Sequence, residues 1–300
     1  MATIAGDSAS TGRVGAETKV VDANRGWRIL QRVLLYILLV LIALIFLIPL
    51  LWLVSTSLKP AAQLFTPQIE WVPRTITLEN YSRLFSSQQT PIARWFVNSL
   101  AIATISTVLV LTVDALAAYA YARMEFRGRN VIFGIMLLTL FVPGFMFIIP
   151  NFLTINFLHL INNWAGVILP GLAGVFGVFF LRQFFEGLPK ELEEAAMIDG
   201  ASLFQVFYKV VLPLSRPALA TLAVITFLAS WNDFLWPLLI LKDRNLQTLP
   251  PGLRTLQSAY TSEYGLIMAG AVLVAIPVLI LYMLLQRYIV QSIASTGLKG

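Results

Sequence analysis

Two carboxylates stand inside apolar sequence: Asp114 in the stretch TVLVLTVDALAAYAYA, and Asp233 in the run Trp231-Asn232-Asp233. An ionisable side chain in hydrocarbon is expensive and by default marks a pathway or a site. The second group sets a ring that can stack on a sugar beside amide and carboxylate oxygens that can hydrogen-bond its hydroxyls. A tryptophan there also suits an interfacial belt, and Asp114 also suits a hydrogen bond to a neighbouring helix. Other chemistry is scarce. The chain has no cysteine, which excludes disulfides, thiolate metal sites and a cysteine nucleophile. Its single histidine, His159 in NFLHLINNW, excludes a site of two imidazoles and reads as a loop or interface residue. No catalytic cluster or metal site can be assembled from this set. No Gly-x-x-x-x-Gly-Lys-Ser/Thr run is present, so the chain has no phosphate-cradling loop for ATP.

Charge is concentrated in one place. Nine of the 36 charged residues fall between Arg182 and Arg216, around FFEGLPKELEEAAMIDGASLFQVFYKVVLPLSRP. Pro189 suits a first helical turn, and Glu191, Glu193 and Glu194 complement the positive end of a helix. These residues predict a short helix from about Pro189 to Ile198. Asp199-Gly200 breaks it, with Gly200 taking a backbone geometry other residues resist. A second short helix is expected from about Ser202 to Val211, stopping at Leu212-Pro213, with Ser215 placed to cap the next element. Two short helices at a fixed angle make a rigid knob.

The elements that hold these residues are membrane spans. Charged residues are 12% of the chain and hydrophobic ones 58%, against roughly 25% charge in soluble domains. Spanning helices need about 20 mostly apolar residues. Six windows qualify: about Val33–Val54, Trp95–Ala122, Val131–Leu153, Trp164–Leu181, Ala218–Leu241 and Leu266–Leu285. In lipid each must satisfy its own backbone hydrogen bonds, so all six are read as helices, with Pro143-Gly144, Gly171, Gly174 and Pro237 among the points of kinking or close packing. Fourteen of the 21 basic residues fall on one side when loops alternate, which places both termini in the cytoplasm. The net charge of +6 is scattered and not striped, so no nucleic-acid partner is expected. The fold class is therefore an all-α membrane protein of six transmembrane helices. Residues 1–30 read as a flexible cytoplasmic tail, 31–290 as the membrane domain with the charged loop at about 184–217 between spans four and five, and 291–300 as a second cytoplasmic tail.

The loop residues Glu194-Ala195-Ala196, Gly200, Val210 and Leu212-Pro213 reproduce the pattern Glu-Ala-Ala, three residues, Gly, nine residues, an aliphatic, one residue, Leu-Pro. This resembles the signature loop of permease subunits of ATP-binding-cassette importers, with Val210 where that family more often has Ile. AAYAYARMEFRGR, WNDFLWPLLIL and QRYIVQSIASTGLKG extend the similarity to the carbohydrate-uptake branch, in particular the second, six-span permease of maltose-type systems. It covers about Leu30 to the C-terminus. The resemblance implies a loop that docks on a cytoplasmic ATPase: Ala195 and Ala196 for close approach, Gly200 for the bend, Glu194 for polar contact. It further implies a second homologous permease, two ATP-binding subunits carrying ATP and Mg, an external solute-binding protein, and a bacterial or archaeal cytoplasmic membrane. No cofactor would bind this chain itself. Pro250-Pro251-Gly252-Leu253 is similar to the loop that reaches into the binding protein, though it also reads as an outer turn. Residues Gln291 to Gly300 either reach the ATPase or form a frayed end. The competing reading is a secondary transporter or channel. Such proteins carry coupling sites in broken helices related by inverted repeats, and no internal repeat is evident here.

Overall fold

The computed structural model describes residues 25–64, 70–87, 90–172, 174–256 and 263–297, all helix or connection, with no strand among them. Residues 1–24 of the expected N-terminal tail and the last three of the C-terminal segment lie outside the described residues.

The chain divides into two units, the first ending at Leu51. That unit is most of helix α1 (Arg25–Ser57), 33 residues, apolar on every face from Val33 to Val54. It starts at Arg25, earlier than Val33 and inside the stretch read as tail: Trp27, Arg28, Ile29 and Leu30 carry the helix back from Val33, and Gly26, a poor helix former, falls only in its first turn.

The second unit holds α2 (Glu79–Ser86) and α3 (Ile92–Arg123), then α4 (Arg129–Leu138), α5 (Ile148–Phe157), α6 (Trp164–Ile168) and α7 (Val175–Glu186). The charged loop gives α8 (Lys190–Ile198), α9 (Leu203–Val206), a π-helical segment Phe207–Val211 and the single turn α10 (Leu212–Leu214). Helices α11 (Arg216–Trp231), α12 (Leu235–Ile240), α13 (Leu249–Leu253) and α14 (Tyr264–Gly297) follow. Helix α14 carries its backbone through Gly297, so residues 291–297 continue the last helix. Three helices are long and apolar enough to cross a membrane, or up to six if each bent pair is one span.

Helix α3 is the axis of this unit. Its buried residues, Trp95, Asn98, Ser99, Ile102, Ala103, Ser106, Val110, Asp114 and Ala118, recur every three to four positions and so form one face. Ser99, Ala103, Ser106 and Ala118 on this face allow close backbone approach, which matters because lipid supplies no hydrophobic drive between helices. Three apolar clusters lie along it. Ala115, Ala118 and Tyr119 pack with Leu181, Phe185, Val206 and Val211 toward the Arg123 end. Ile102 packs with Ile155, Ile168, Ile240 and Leu241 in the middle. Trp95 packs with Leu84, Trp231, Leu249 and Ala269 at the other end.

Three of the apolar windows are broken. The third bends by 99° between Arg129–Phe141 and Gly144–Phe157. Pro143 has no N–H to continue the ladder, and the residue before it is pushed to an extended geometry. The fourth is interrupted between a 3-10 turn at Leu169–Gly171 and the start of α7. The fifth, expected to reach Leu241 with kinking or close packing at Pro237, ends earlier, at Trp231, and resumes at Leu235. Asn232 and Asp233 favour local turns over helix interior, and Pro237 has no N–H to offer the ladder.

At the Trp95 end the segment from Lys242 onward is tied to α3. The Trp95 indole N–H donates to the Arg244 carbonyl at 2.7 Å, and Asn98 donates to the carbonyls of Asn245 and Gln247 at 2.8 and 2.9 Å. The Leu249 N–H donates to Ser99 Oγ at 2.7 Å. Pro251 and Gly252 are buried, and a β-carbon at Gly252 would fall on the Trp95 ring. Gly252→Ala is therefore expected to destabilise the protein by about 1–3 kcal/mol through overpacking. A thermal melt of the detergent-purified protein beside wild type checks it; an unchanged midpoint would contradict the packing.

Candidate functional site

The charged loop folds as a stiff bracket. Pro189 precedes α8 as its N-cap residue, and Glu191 and Glu193 occupy the first turn. Gly200 sits at φ +85, the left-handed region that glycine alone enters without steric cost. Its N–H donates to the Met197 carbonyl at 3.0 Å, closing the end of α8. Ser202 then opens α9 with a reciprocal cap: its Oγ accepts from the Gln205 N–H at 3.3 Å while Gln205 Oε1 accepts from the Ser202 N–H at 2.8 Å. The second arm runs through the π segment to Leu214 and meets α11 at 78°. Ser215 does not cap α11. Its Oγ is buried without a partner, and the second residue of α11, where a cap would seek an N–H, is Pro217.

One face of the bracket is held and the other is bare. Val206, Phe207 and Val211 are buried against α3 and α7, with Ala196, Val210 and Leu212 packed beside them. Ile198 is 86% exposed, Phe204 69% and Tyr208 65%. Glu194, Ala195, Gly200 and Pro213 are exposed as well. The holding contact was not singled out from the sequence. Glu193 Oε1 accepts from Arg123 Nε at 2.6 Å, both side chains 8% exposed, and Arg123 also donates to the Leu188 carbonyl at 3.0 Å. A second guanidinium, Arg182, pairs with Glu186 at 2.7 Å and lies 4.1 Å from the Phe133 ring centroid. The glutamates of the helix, all suited to its dipole, thus divide: Glu193 faces inward and Glu194 outward.

A cavity of about 360 Å³ lies beside the middle of α3. Its wall includes Gly144, Gly171 and Asp233, so the breaks of all three interrupted windows converge on it. Backbone freed from a helix in a membrane is tolerated where it is enclosed by protein or lines a watered space. Ser106, Asn151, Thr226, Ser230, Asp233 and Trp236 give the wall its polar groups.

Of the residues expected on the solute path, only Asp233 reaches this cavity. Trp231 is 1% exposed, stacks on Phe227 and donates its indole N–H to the Val274 carbonyl at 3.0 Å, which corrects its reading as a sugar platform: both ring and N–H are already used. Trp236, five residues on, occupies that position in the wall and donates its indole N–H to the Gly166 carbonyl at 3.2 Å. Asn232 is exposed and outside the wall. Asp114 is 1% exposed and packs over Gly177 of α7, where a β-carbon would meet its carboxyl. Neither Asp114 oxygen has a hydrogen-bond partner, so the hydrogen bond to a neighbouring helix is not formed among the described residues. Pro250, Pro251, Gly252 and Leu253 are not a free tip. They form α13, packed on Trp95 and, through Leu253, against Gly270. His159 is an exposed loop residue at φ 55.

Long apolar helices, broken spans around a cavity with polar groups in its wall and a stiff projecting bracket define a multi-pass helical membrane protein of the transporter type. Residues 113–295 match the family described as binding-protein-dependent transport system inner membrane component, and the chain belongs to that family of permeases. Among curated relatives it is similar to the arabinooligosaccharides transport system permease protein AraQ of Halalkalibacterium halodurans, 39% identical over 261 residues, 86% of this chain and 93% of the relative. The protein of the same name from Bacillus subtilis is 35% identical over 271 residues, 90% of this chain and 96% of the relative. Among solved structures, a chain of a bacterial ABC transporter that imports the acidic polysaccharide alginate matches with a TM-score of 0.76 and 28% identity, covering 89% of this chain and 98% of that one.

Proposed function

We propose that this chain is one of two homologous permease subunits of an ABC importer that carries a sugar or sugar-like solute into the cytoplasm. In this reading it makes six spans with both ends cytoplasmic, in a bacterial or archaeal cytoplasmic membrane. Two partner ATPase subunits bind ATP and Mg, and an external binding protein delivers the solute. The observation that carries the reading is the projecting bracket: apolar Ile198 and Phe204 bare at its face, Glu194 beside them, in a chain 39% identical to an oligosaccharide permease. Glu194, Ala195, Ala196, Gly200, Val210, Leu212 and Pro213 shape the docking element; Glu194, Ala195, Gly200 and Pro213 are at its surface, and Ala196, Val210 and Leu212 set it against the core.

The cavity beside α3 is the solute path, with Asp233 on its wall. Asp114 stays off that path. Helix α13 positions the segment toward the binding protein through neighbouring residues.

The test is uptake by the assembled complex in liposomes, with arabino-oligosaccharides as the first probe. Transport is expected only with ATP and the binding protein present. Glu194→Lys, which opposes charge at the docking face, is expected to leave membrane insertion intact and cut uptake at least tenfold. Uptake by the chain alone, without ATP, would replace this reading with a secondary transporter.

A further inference from the structure

Among the described residues the cavity wall carries one ionisable group. Ser106, Asn151, Thr226 and Ser230 offer hydroxyl and amide groups and Trp236 an indole, while Asp233 is the one acid, and no lysine, arginine or histidine of the described residues lines the space. Asp233 Oδ1 accepts from the Trp236 N–H at 3.4 Å, which holds the carboxylate at the start of α12. None of the ion pairs among the described residues involves it. A carboxylate without an ion-pair partner, half-buried in the wall of a mostly apolar cavity, is screened less than one on an open surface and biases what enters. A phosphate, sulfonate or uronate group entering there meets like charge with no cation to offset it. An uncharged glycoside instead brings hydroxyls that the wall can pair and a ring that Trp236 can face. The fold does not dictate this choice, since a structure of the same architecture imports an acidic polysaccharide.

We propose that Asp233 makes this cavity selective by charge, admitting uncharged polyhydroxy solutes and rejecting phosphorylated, sulfonated or uronic ones. The inference rests on the reading of the cavity as the solute path.

The absence of native cysteine in this chain permits a direct test in the assembled complex. Single cysteines are placed at Ser230 and, independently, at Thr226, with exposed His159→Cys as reference. Each is reacted at pH 8 with the neutral 2-hydroxyethyl and the anionic 2-sulfonatoethyl methanethiosulfonate, and modification of this chain is followed by mass spectrometry. The neutral-to-anionic rate ratio at both cavity positions is expected to exceed the His159 ratio by roughly tenfold. It should fall to the reference value when Asp233→Asn is added, or Asp233→Ser if the asparagine variant does not fold. A cavity ratio equal to the reference, or one unmoved by removing the carboxylate, overturns the charge selection and leaves the path standing. If neither reagent reaches Ser230→Cys or Thr226→Cys in any nucleotide state while His159→Cys reacts, the path itself is wrong and the selection falls with it.

Discussion

Glu193→Ala should be among the most destabilising single changes in the chain, by about 3–5 kcal/mol. It strands the Arg123 guanidinium, 8% exposed, with only the Leu188 carbonyl as partner. Glu194→Ala, one residue on, removes an exposed carboxylate and should stay within about 0.5 kcal/mol of wild type. The joint replacement Arg123→Met with Glu193→Leu should recover most of the loss, because a well-packed apolar pair avoids the desolvation of both charges. Thermal unfolding of the four purified proteins decides it. Equal midpoints for Glu193→Ala and Glu194→Ala would mean the ion pair does not hold the bracket. In the proposed docking, transport should divide the two glutamates as well: loss of Glu193 should act through the stability of the knob, loss of Glu194 through the ATPase contact.

Gly200→Pro should abolish coupling. Proline fixes φ near −65° and has no N–H, whereas Gly200 sits at φ +85 and donates to Met197. Nothing lies within 4 Å of a β-carbon built there, so the penalty is backbone strain and not collision. That distinction predicts a graded series. Gly200→Asn should be mildest, since asparagine tolerates the left-handed region; alanine should cost roughly 1–2 kcal/mol; proline should re-aim both arms. ATP-driven uptake should fall in that order, by more than tenfold for proline, while each protein still inserts. Uptake by Gly200→Pro at the wild-type rate would show that the angle between α8 and α9 is immaterial.

The features legible in the sequence were those set by neighbours along the chain. Apolar runs marked helical segments, Pro143-Gly144 marked a kink or close packing, Ser202 marked the start of a second short helix, and Gly200 followed a helix that needed a stop. What escaped was decided across the fold. Glu193 and Glu194 are equally acidic, and only an arginine 70 positions away selects the one that is buried. Trp231 and Trp236 both stand near Asp233, and which ring lines the cavity depends on the helix break between them. Ser215 has the residue type of a cap, but its geometry is set by the turn entering from Leu212, and Pro217 has no N–H for it to accept. Pro250 to Leu253 read as an exposed turn because nothing local records the Trp95 ring behind Gly252.

Helix α11 has a mechanical property that follows from where it begins and ends. Its sixteen residues run from the 78° corner at the bracket to the break at the cavity without interruption. Ser230 lies about 22 Å from the corner by helical rise, so a tilt of about 10° there sweeps it through roughly 4 Å. The far end is not free: Trp231 donates to the Val274 carbonyl, which ties it to α14. In the proposed mechanism a small tilt at the knob is thereby geared up at the cavity, and the stroke is set by rod length.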